Sequence, residues 1–404
     1  AICYIIQGCF IRHGGLCSCK FVDIGRIKKV KNMKRIVFHL NCLERGGAEH
    51  VVATLSGQFA AHGYEVYIAT EWQGEDEYEI HPQVKRVHVG LNKKQEQHNR
   101  ILKFVDRIIN LRHFLQKVKP DIVIAFARKA NYRALTATIG MKMPVLISVR
   151  INPIGYYDFW SDKIQIPLLF RRAAGCVFQT PQQRDFFPKD VRKNSRIILN
   201  PIDERFIGNE IPKKRENVVV HSGRLVDFKN QCLLVRAFAM VHQIHPDYIL
   251  RIYGPDSFDG TKQQLEELIC RLHAEEYVQL MGSSSTLEKD MRCAALAAFA
   301  SDYEGMPNVL LEAMALGLPI VSTDCPPGGP RMVIKHEENG LLVPVGDKNA
   351  LAAAINRLIE DRKLAEQLGR NAVKIGQMAS PEHIFGEWED YIKQITRNYR
   401  ERTR

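Results

Sequence analysis

Two glutamates, Glu304 and Glu312, are the residues whose types and spacing point most directly to chemistry. Glu304 follows an apolar run at 297–300, and Glu312 lies within a helix whose first turn should contain Pro307. The backbone N–H groups of residues 306–309 are then free at the helix start and can hold an anion. A carboxylate among apolar neighbours is costly without partners, and a diol such as a ribose offers two hydroxyl donors.

Two cations, Arg224 and Lys229, lie five residues apart after the apolar run 218–221. If that run is a strand, both side chains lie at its carboxyl end. Paired cations at this position suit a diphosphate. The spacing alone is equally compatible with two unrelated surface charges.

A glycine pair, Gly46–Gly47, follows the first apolar run and opens a helical pattern. Glycines at a helix start let a ligand approach the backbone, and the free N–H groups there attract phosphate. An ordinary tight turn explains the pair equally well. The dinucleotide fingerprint Gly-x-Gly-x-x-Gly and the P-loop are both absent from the sequence.

The elements that must position these residues alternate between apolar strands and helices, which predicts an α/β protein with parallel sheets covered on both faces. About six strands in each half favour two Rossmann-like, doubly wound domains facing a central cleft, with ligands at the carboxyl ends of the strands. The predicted strands are Ile36–Leu40, Glu65–Ala69, Val84–Val89, Asp121–Ala125, Val145–Val149, Gly175–Gln179, Val218–His221, Ile249–Tyr253, Val278–Met281, Ala297–Ala300, Ile320–Thr323 and Leu341–Val343.

The domain boundaries follow from prolines and from composition. We expect a first domain over 33–200, a second over 201–380 and a final helix over 381–404 whose apolar face packs on another element, with the first domain as candidate. Residues 1–32 lack the periodicity of the rest. We interpret them as an upstream extension that is disordered or not native, and give little weight to a metal site at Cys17 and Cys19.

The composition is that of a globular protein of 404 residues, with 45% hydrophobic and 25% charged residues and a net charge of +12. Ten cysteines are too few for a disulfide scaffold and fit a reducing cytosol. Residues 33–200 carry 26 Lys and Arg against 15 Asp and Glu, which indicates an anionic partner for the first domain.

A basic amphipathic helix is predicted from about Asn99, within a segment, 85–119, that holds ten Lys and Arg against two acids. Such a helix can lie on an anionic membrane. It can equally be an ordinary domain helix with its apolar stripe on the sheet. Nucleic acid is not expected, because no basic-aromatic platform accompanies the charge. The apolar stripe consists of Ile101, Phe104, Val105, Ile108, Leu111, Leu115 and Val118.

The motifs together resemble the retaining glycosyltransferases of family 4. The resemblance rests on Glu304-Gly-Met-Pro-Asn-Val-Leu-Leu-Glu312, on Gly-Arg-Leu and Lys-Asn within 223–230, on Gly-Gly-Ala-Glu at 46–49 and on Asn-Gly-Leu-Leu-Val at 339–343. It spans about residues 33–395. It implies the GT-B fold and a nucleotide-sugar donor bound mainly to the second domain.

The resemblance also implies a role for each matching residue. Arg224 and Lys229 would stabilise the departing diphosphate, Glu312 would bind the ribose and Glu304 would contact the donor sugar. Gly46 and Gly47 would approach the diphosphate from the first domain. The remaining donor contacts would come from the backbone at Gly305, Met306, Pro307, Asn308 and Val309, and near the base at Met281 and Gly282.

One position departs from the common family pattern. Where many members have a histidine near the donor sugar, this sequence reads Ser-Val-Arg-Ile-Asn at 148–152, so Arg150 and Asn152 take its place. Neither is a base at neutral pH, and we assign them to substrate binding. The sequence is compatible with a front-face mechanism and with a covalent intermediate.

The resulting prediction is a retaining hexosyl- or N-acetylhexosaminyltransferase that needs no metal or other cofactor. It would use a nucleotide-sugar donor, UDP-linked by preference, and a glycan or lipid-linked acceptor in cell-envelope polysaccharide assembly. We expect a cytoplasmic protein that docks on the inner face of an anionic membrane. A nucleotide-sugar epimerase of the same build and a non-catalytic nucleotide-sugar-binding subunit are the alternatives.

Overall fold

The computed structural model describes residues 35–403, which form two parallel β-sheets. The expectations for residues 1–32, including Cys17 and Cys19, lie outside the described residues. The strands are β1 (Arg35–Leu40), β2 (Glu65–Thr70), β3 (Lys85–His88), β4 (Ile122–Phe126), β5 (Val145–Ser148), β6 (Gly175–Phe178), β7 (Ser195–Ile197), β8 (Glu216–Ser222), β9 (Ile249–Tyr253), β10 (Val278–Gly282), β11 (Ala294–Phe299), β12 (Ile320–Thr323) and β13 (Leu341–Val343).

Helices connect the strands and cover the sheets. They are α1 (Gly47–Ala61), α2 (Arg100–Val118), α3 (Arg128–Ala137), α4 (Trp160–Leu169), α5 (Pro181–Asp185), α6 (Lys189–Lys193), α7 (Gln231–Ile244), α8 (Thr261–Arg271), α9 (Leu287–Arg292), α10 (Asn308–Ala315), α11 (Gly329–Val333), α12 (Lys348–Glu360), α13 (Arg362–Ala372), α14 (Ile375–Met378) and α15 (Pro381–Arg402).

Both sheets have the doubly wound topology. The first has the strand order β3-β2-β1-β4-β5-β6-β7 and the second β10-β9-β8-β11-β12-β13. All twelve predicted strands are confirmed, and every pairing is parallel. β7 is not among the predicted strands, because its three residues are only partly buried and carry no apolar run. The carboxyl ends of each sheet's strands meet at one edge, where a ligand site is expected.

Each sheet is buried on both faces, as the near-continuous apolar strands predict. In the first sheet, α1 packs on one face through Val52 and Phe59, and α2 packs on the other through Leu111 and Leu115. The second sheet is covered by α7 and α12 on one face and by α10 on the other.

The helix α15 belongs to the core of the first domain, although it lies at the other end of the sequence. Trp388 and Ile392 are fully buried against β1 and α1. The Tyr391 hydroxyl donates to the Asn194 carbonyl at 2.9 Å. The chain therefore crosses between the sheets twice, and the two crossings are joined by a hydrogen bond of 2.8 Å from the Ile202 N–H to the Ala379 carbonyl.

The basic helix α2 begins where the sequence predicts, with the Asn99 side chain accepting from the Leu102 N–H at 3.0 Å. Its predicted apolar stripe is buried along only part of the helix. Leu111 and Leu115 are buried in the C-terminal half, whereas Ile101 and Phe104 in the N-terminal half are 74% and 53% exposed. None of the helices within residues 35–403 combines the length and hydrophobicity that crossing a bilayer requires.

Candidate active site

Two helix starts from different domains face each other at the carboxyl edges of the sheets. A Cβ on Gly47, the first residue of α1, would lie 3.9 Å from Asn308 Nδ2, at the first residue of α10. The helix α10 begins one residue later than predicted, because Pro307 is its extended N-cap residue. Both helix starts carry free N–H groups and the positive end of a dipole, so the space between them attracts an anion.

Lys229 and Glu304 form an ion pair in which both side chains are largely buried. Lys229 ends a 3-10 turn, and the Asp302 N–H donates to the Phe228 carbonyl at 2.8 Å, which ties that turn to the loop of Glu304. The Ser301 hydroxyl donates to Glu304 Oε1 at 3.3 Å. The structure thus brings together two residues to which the resemblance gives separate roles.

Arg224 is exposed at the carboxyl end of β8, and its charge acts on Glu49 of the first domain. Burial raises the pKa of the Glu49 carboxyl, and Arg224 opposes that rise. The Glu49 carboxylate lies where a Cβ on Gly46 would be, so this carboxylate occupies the start of α1. Glu49 is not among the predicted site residues, although it belongs to the Gly-Gly-Ala-Glu motif.

Glu312 lies in the second turn of α10, partly buried. Burial, and then the neighbouring Asp203, raise the pKa of its carboxyl to about 7, while Arg205 and Lys229 oppose the rise. The pKa of Tyr78 in the first domain is raised to about 12, mainly by burial. Glu312 is close enough to Tyr78 to add to that rise. No hydrogen bond from another residue within 35–403 satisfies the Glu312 carboxylate, so it is available to a ligand.

Gly305 fills a narrow space between the domains. A Cβ at this position would lie 2.5 Å from Gln179 Oε1 and 2.7 Å from the Arg150 carbonyl oxygen. On the other side, a Cβ on Gly329 would overlap the Gly305 carbonyl. Only a residue without a side chain fits here, which holds the loop from Glu304 to Met306 against the first domain.

Asn200 connects the two domains at this point. Its Oδ1 accepts from Arg150 Nη1 at 2.6 Å and from Gln179 Nε2 at 2.9 Å. Its Nδ2 donates to Asn308 Oδ1 at 2.6 Å and to the Met306 carbonyl at 3.2 Å. Sequence reasoning placed Asn200 in the hinge but not in the site, because its four partners come from distant segments.

Comparison with known proteins identifies the family to which the chain belongs. The model for Glycosyltransferase Family 4 matches residues 45–206, and the model for Glycosyl transferases group 1 matches residues 203–375. An N-acetylgalactosamine-N,N'-diacetylbacillosaminyl-diphospho-undecaprenol 4-alpha-N-acetylgalactosaminyltransferase of Campylobacter jejuni is 30% identical over 352 residues, 82% of this chain and 92% of that protein. The chain belongs to the family 4 glycosyltransferases.

Other relatives agree with this assignment. A GalNAc-alpha-(1->4)-GalNAc-alpha-(1->3)-diNAcBac-PP-undecaprenol alpha-1,4-N-acetyl-D-galactosaminyltransferase, also from Campylobacter jejuni, is 26% identical over 369 residues, 90% of this chain and 99% of that protein. The crystal structure of Anabaena HepE in complex with UDP matches with a TM-score of 0.75 at 19% identity, covering 90% of this chain and all of that one. The predicted GT-B fold is confirmed.

Arg150 of this glycosyltransferase is turned toward the protein interior. Its guanidinium stacks on Phe126 and Trp388 at 5.3 and 5.4 Å from the ring centroids, and burial lowers its pKa to about 9. Besides Asn200, it donates to the Ser148 hydroxyl at 2.7 Å. In this conformation Arg150 positions Asn200, and its contact with substrate stays a prediction.

The remaining predicted residues of the glycosyltransferase lie in the loop after β5, at the end of β10 and in the first turn of α10. Asn152 is buried and accepts from the Ile154 N–H at 3.2 Å, so its side chain shapes a loop; its contact with the sugar also stays a prediction. Met281 is exposed near the end of β10. Gly282 has a φ of +69° and accepts from the Gly254 N–H at 2.8 Å. Val309 lies in the first turn of α10, partly buried.

Proposed function

We propose that this glycosyltransferase moves a sugar from a UDP-sugar to a lipid-linked or glycan acceptor, with retention of the anomeric configuration. The observation that carries the proposal is the meeting of two helix starts, at Gly47 and Asn308. Arg224 acts on Glu49 in the first of these helices, and Lys229 pairs with Glu304 just before the second. Free N–H groups and cations in a closed cleft are suited to a diphosphate. The two Campylobacter relatives are named for undecaprenol-linked acceptors, and HepE was solved with UDP, which supports both substrate classes.

In this proposal the diphosphate lies between α1 and α10, and the nucleotide lies along the second domain toward Met281 and Gly282. Glu312 accepts the two ribose hydroxyls. Arg224 and Lys229 stabilise the charge that develops on the leaving diphosphate, where fixed cations are most effective. The Glu49 carboxylate must leave the start of α1 for the diphosphate to bind there, because two anions cannot share that position.

The ion pair between Lys229 and Glu304 favours a front-face reaction over a covalent intermediate, because a carboxylate held by an ammonium is a weaker nucleophile. The bond between the anomeric carbon and the diphosphate oxygen breaks, and the acceptor hydroxyl oxygen bonds to the same face of that carbon. The acceptor proton passes to the departing diphosphate oxygen. No protein base is needed for this transfer.

The direct test is a screen of UDP- and GDP-sugars for protein-dependent release of nucleotide, with and without lipid-linked acceptors. We expect release with at least one UDP-sugar, and the first product observed by NMR should keep the α configuration of the donor. An inverted product would exclude the retaining assignment. Interconversion of free UDP-sugars without transfer would instead support an epimerase, the alternative that shares this cleft.

We expect full activity in excess EDTA. Arg224, Lys229 and the two helix starts supply the positive charge that a divalent cation gives to other glycosyltransferases. Within residues 35–403, no group of three His, Cys, Asp or Glu side chains converges that could hold a metal ion. Turnover is compared in EDTA and after the addition of Mg²⁺ or Mn²⁺. Activity that disappears in EDTA and returns with the ion would contradict metal independence.

Donor binding should weaken as the pH falls through about 7. The pKa of Glu312 is raised to about 7 without ligand. Hydrogen bonds from two ribose hydroxyls favour the ionised carboxylate, so the bound state has a lower pKa. Below pH 7 the carboxyl must release a proton before it binds, at a cost of up to about tenfold in Kd per pH unit.

The measurement is calorimetric titration of the UDP-sugar found in the screen, from pH 5.5 to 8, since the diphosphate diester does not titrate there. Glu312→Gln should bind more weakly at pH 8 and show no such dependence on pH. If the variant keeps the same pH dependence of Kd as the wild-type protein, Glu312 does not bind the ribose.

We further propose that the N-terminal half of α2 docks on an anionic membrane. Its exposed apolar side chains lie beside Arg100 and Lys103, within a segment of ten cations and two acids at 85–119. Each cation near an anionic surface contributes about 1 kcal/mol, so several give reversible, salt-sensitive binding. This surface would bring a lipid-linked acceptor to the cleft.

Co-sedimentation with vesicles should therefore show binding to anionic lipid that decreases at high salt, and little binding to neutral lipid. The double variant Ile101→Ser, Phe104→Ser should lose most of it. Ile244→Ser, which changes a 59% exposed residue of the second domain, is the matched control and should bind normally. Equal binding to neutral and anionic vesicles, or to neither, would contradict the docking.

A further inference from the structure

A buried carboxylate with two arginine partners lies in the first domain, apart from the donor residues. Glu71 follows β2, and its side chain is 2% exposed. It forms ion pairs with Arg133 and, at 3.4 Å between Oε2 and Nε, with Arg107. A carboxylate at this depth is costly, and two cations around one anion leave a net positive charge. The donor site uses none of these groups.

Two of the acceptor atoms in this cluster lack hydrogen-bond partners among residues 35–403. They are Glu71 Oε2 and His39 Nε2, which lies 4.0 Å from Glu71 Oε1. The other ring nitrogen of His39 contacts the Ala69 carbonyl at 3.0 Å and must carry the proton, so Nε2 holds a lone pair. Burial lowers the pKa of His39 to about 4, which keeps the ring neutral. Arg107 pairs with Glu71 Oε2 by charge but makes no hydrogen bond to it. Buried acceptors that receive no hydrogen bond indicate a ligand or water that supplies one.

A cavity of about 330 Å³ lies over this cluster, within the size range of small-molecule sites. One wall carries Trp72, which is 42% exposed. The full lining is Glu71, Trp72, Leu91, Glu96, Lys103 and Arg107.

The cavity lies at the carboxyl edge of the first sheet, the edge that also carries the Gly46–Gly47 turn. The Glu71 and Trp72 N–H groups donate to the Asn41 carbonyl at 2.8 and 3.2 Å, and the Asn41 side chain accepts from Arg133 at 3.2 Å. Asn41 begins the loop that ends at Gly46, so one loop links the cavity to the proposed reaction centre.

The lining identifies the class of ligand. Carboxylates at Glu71 and Glu96 disfavour a bare phosphate, and the four charged side chains disfavour a lipid tail. An exposed indole beside carboxylates and cations matches a sugar, which has apolar C–H faces and hydroxyls that both donate and accept. We propose that this cavity binds a saccharide unit of the acceptor, with its ring on Trp72 and its hydroxyls on Glu71, Lys103 and Arg107. This inference rests on the proposed function, since it names the acceptor subsite of the same enzyme.

The test measures binding of methyl glycosides of galactose, glucose and their N-acetylamino derivatives by tryptophan fluorescence, with inorganic phosphate as a separate probe. At least one glycoside should change the emission saturably. Trp160→Phe, which removes a 78% exposed tryptophan on α4, should keep that change, and Trp72→Phe should abolish it. Lys103→Ala should weaken glycoside binding at least tenfold, whereas Lys117→Ala, an exposed lysine near the end of the same helix, should not.

Binding of UDP, measured by calorimetry on every variant, separates this inference from the proposed function. If UDP binds and no glycoside affects Trp72, the saccharide subsite is wrong and the donor site stands. If phosphate alone produces the Trp72 change and glycosides do not, the cavity is an anion site and the inference is also overturned. If UDP fails to bind the unmodified protein, the proposed function fails, while the glycoside measurement still decides the cavity.

Discussion

Lys229→Ala should lower sugar transfer by about 30- to 900-fold with the fold intact, since removing one preorganised group that stabilises a developing charge costs on the order of 2–4 kcal/mol. The structure gives this variant a second effect, because Glu304, proposed to contact the donor sugar, loses its ion-pair partner. Both effects act on the reaction centre, so kcat should fall more than donor affinity.

Arg224→Ala should also lower sugar transfer at least tenfold. Because Arg224 is exposed, its replacement should leave the fold intact. Lys262→Ala serves as the control, because Lys262 lies on the outer face of α8 and pairs with Glu266 at 3.7 Å. Steady-state kinetics with the identified donor, together with melting temperatures, are the measurements. Near-normal turnover in Lys229→Ala or Arg224→Ala would remove that residue from the diphosphate site.

Gly305→Ala should reduce turnover at least about a hundredfold, the size of effect that a 1 Å misplacement of reacting groups can have. The added methyl would lie 2.5 Å from Gln179 Oε1 and 2.7 Å from the Arg150 carbonyl, well inside van der Waals contact. The side-chain amide can move, but the carbonyl belongs to the backbone. The second-domain loop must therefore shift away from the first domain, together with Glu304 and the start of α10.

Gly386→Ala is the matched control, because it is a helical glycine of α15 with nothing within 4 Å of the added Cβ. It should leave turnover unchanged and stabilise the protein by about 0.4–1 kcal/mol, since alanine loses less backbone entropy in a helix. Kinetics and thermal unfolding of the two variants side by side measure the difference. Wild-type turnover in Gly305→Ala would show that the cleft tolerates the displacement.

The fold could be predicted from the sequence because parallel strands that are buried on both faces have continuous apolar sequences. Each predicted strand is a continuous apolar run, and β7 was missed because its partly buried residues have none. The candidate site was predicted as a set of residues. Its geometry was not, because the pair of Lys229 with Glu304 and the four partners of Asn200 join segments far apart in the chain.

Arg150 and the helix α2 illustrate what a local sequence pattern does not contain. Arg150 occupies a position that suggests a ligand contact, yet its guanidinium lies between Phe126 and Trp388, which come from distant elements. In α2 the apolar stripe is regular along the sequence, but whether each turn is covered depends on how far the neighbouring elements extend. Periodicity predicts which face is apolar, and tertiary packing decides how much of that face is buried.

The packing of α15 on the first domain determines the order in which the newly made chain can fold. The ribosome completes the strands of the second sheet, residues 216–343, before it adds Trp388 and Ile392, which fill the core beside β1 and α1. Domains fold as units once their own core residues are available. The second domain can therefore fold during synthesis before α15 is made, while the first domain waits for α15. A chain that stops before Pro381 leaves Phe59 and Phe126 without this cover, and the exposed apolar surface makes such a fragment prone to aggregation.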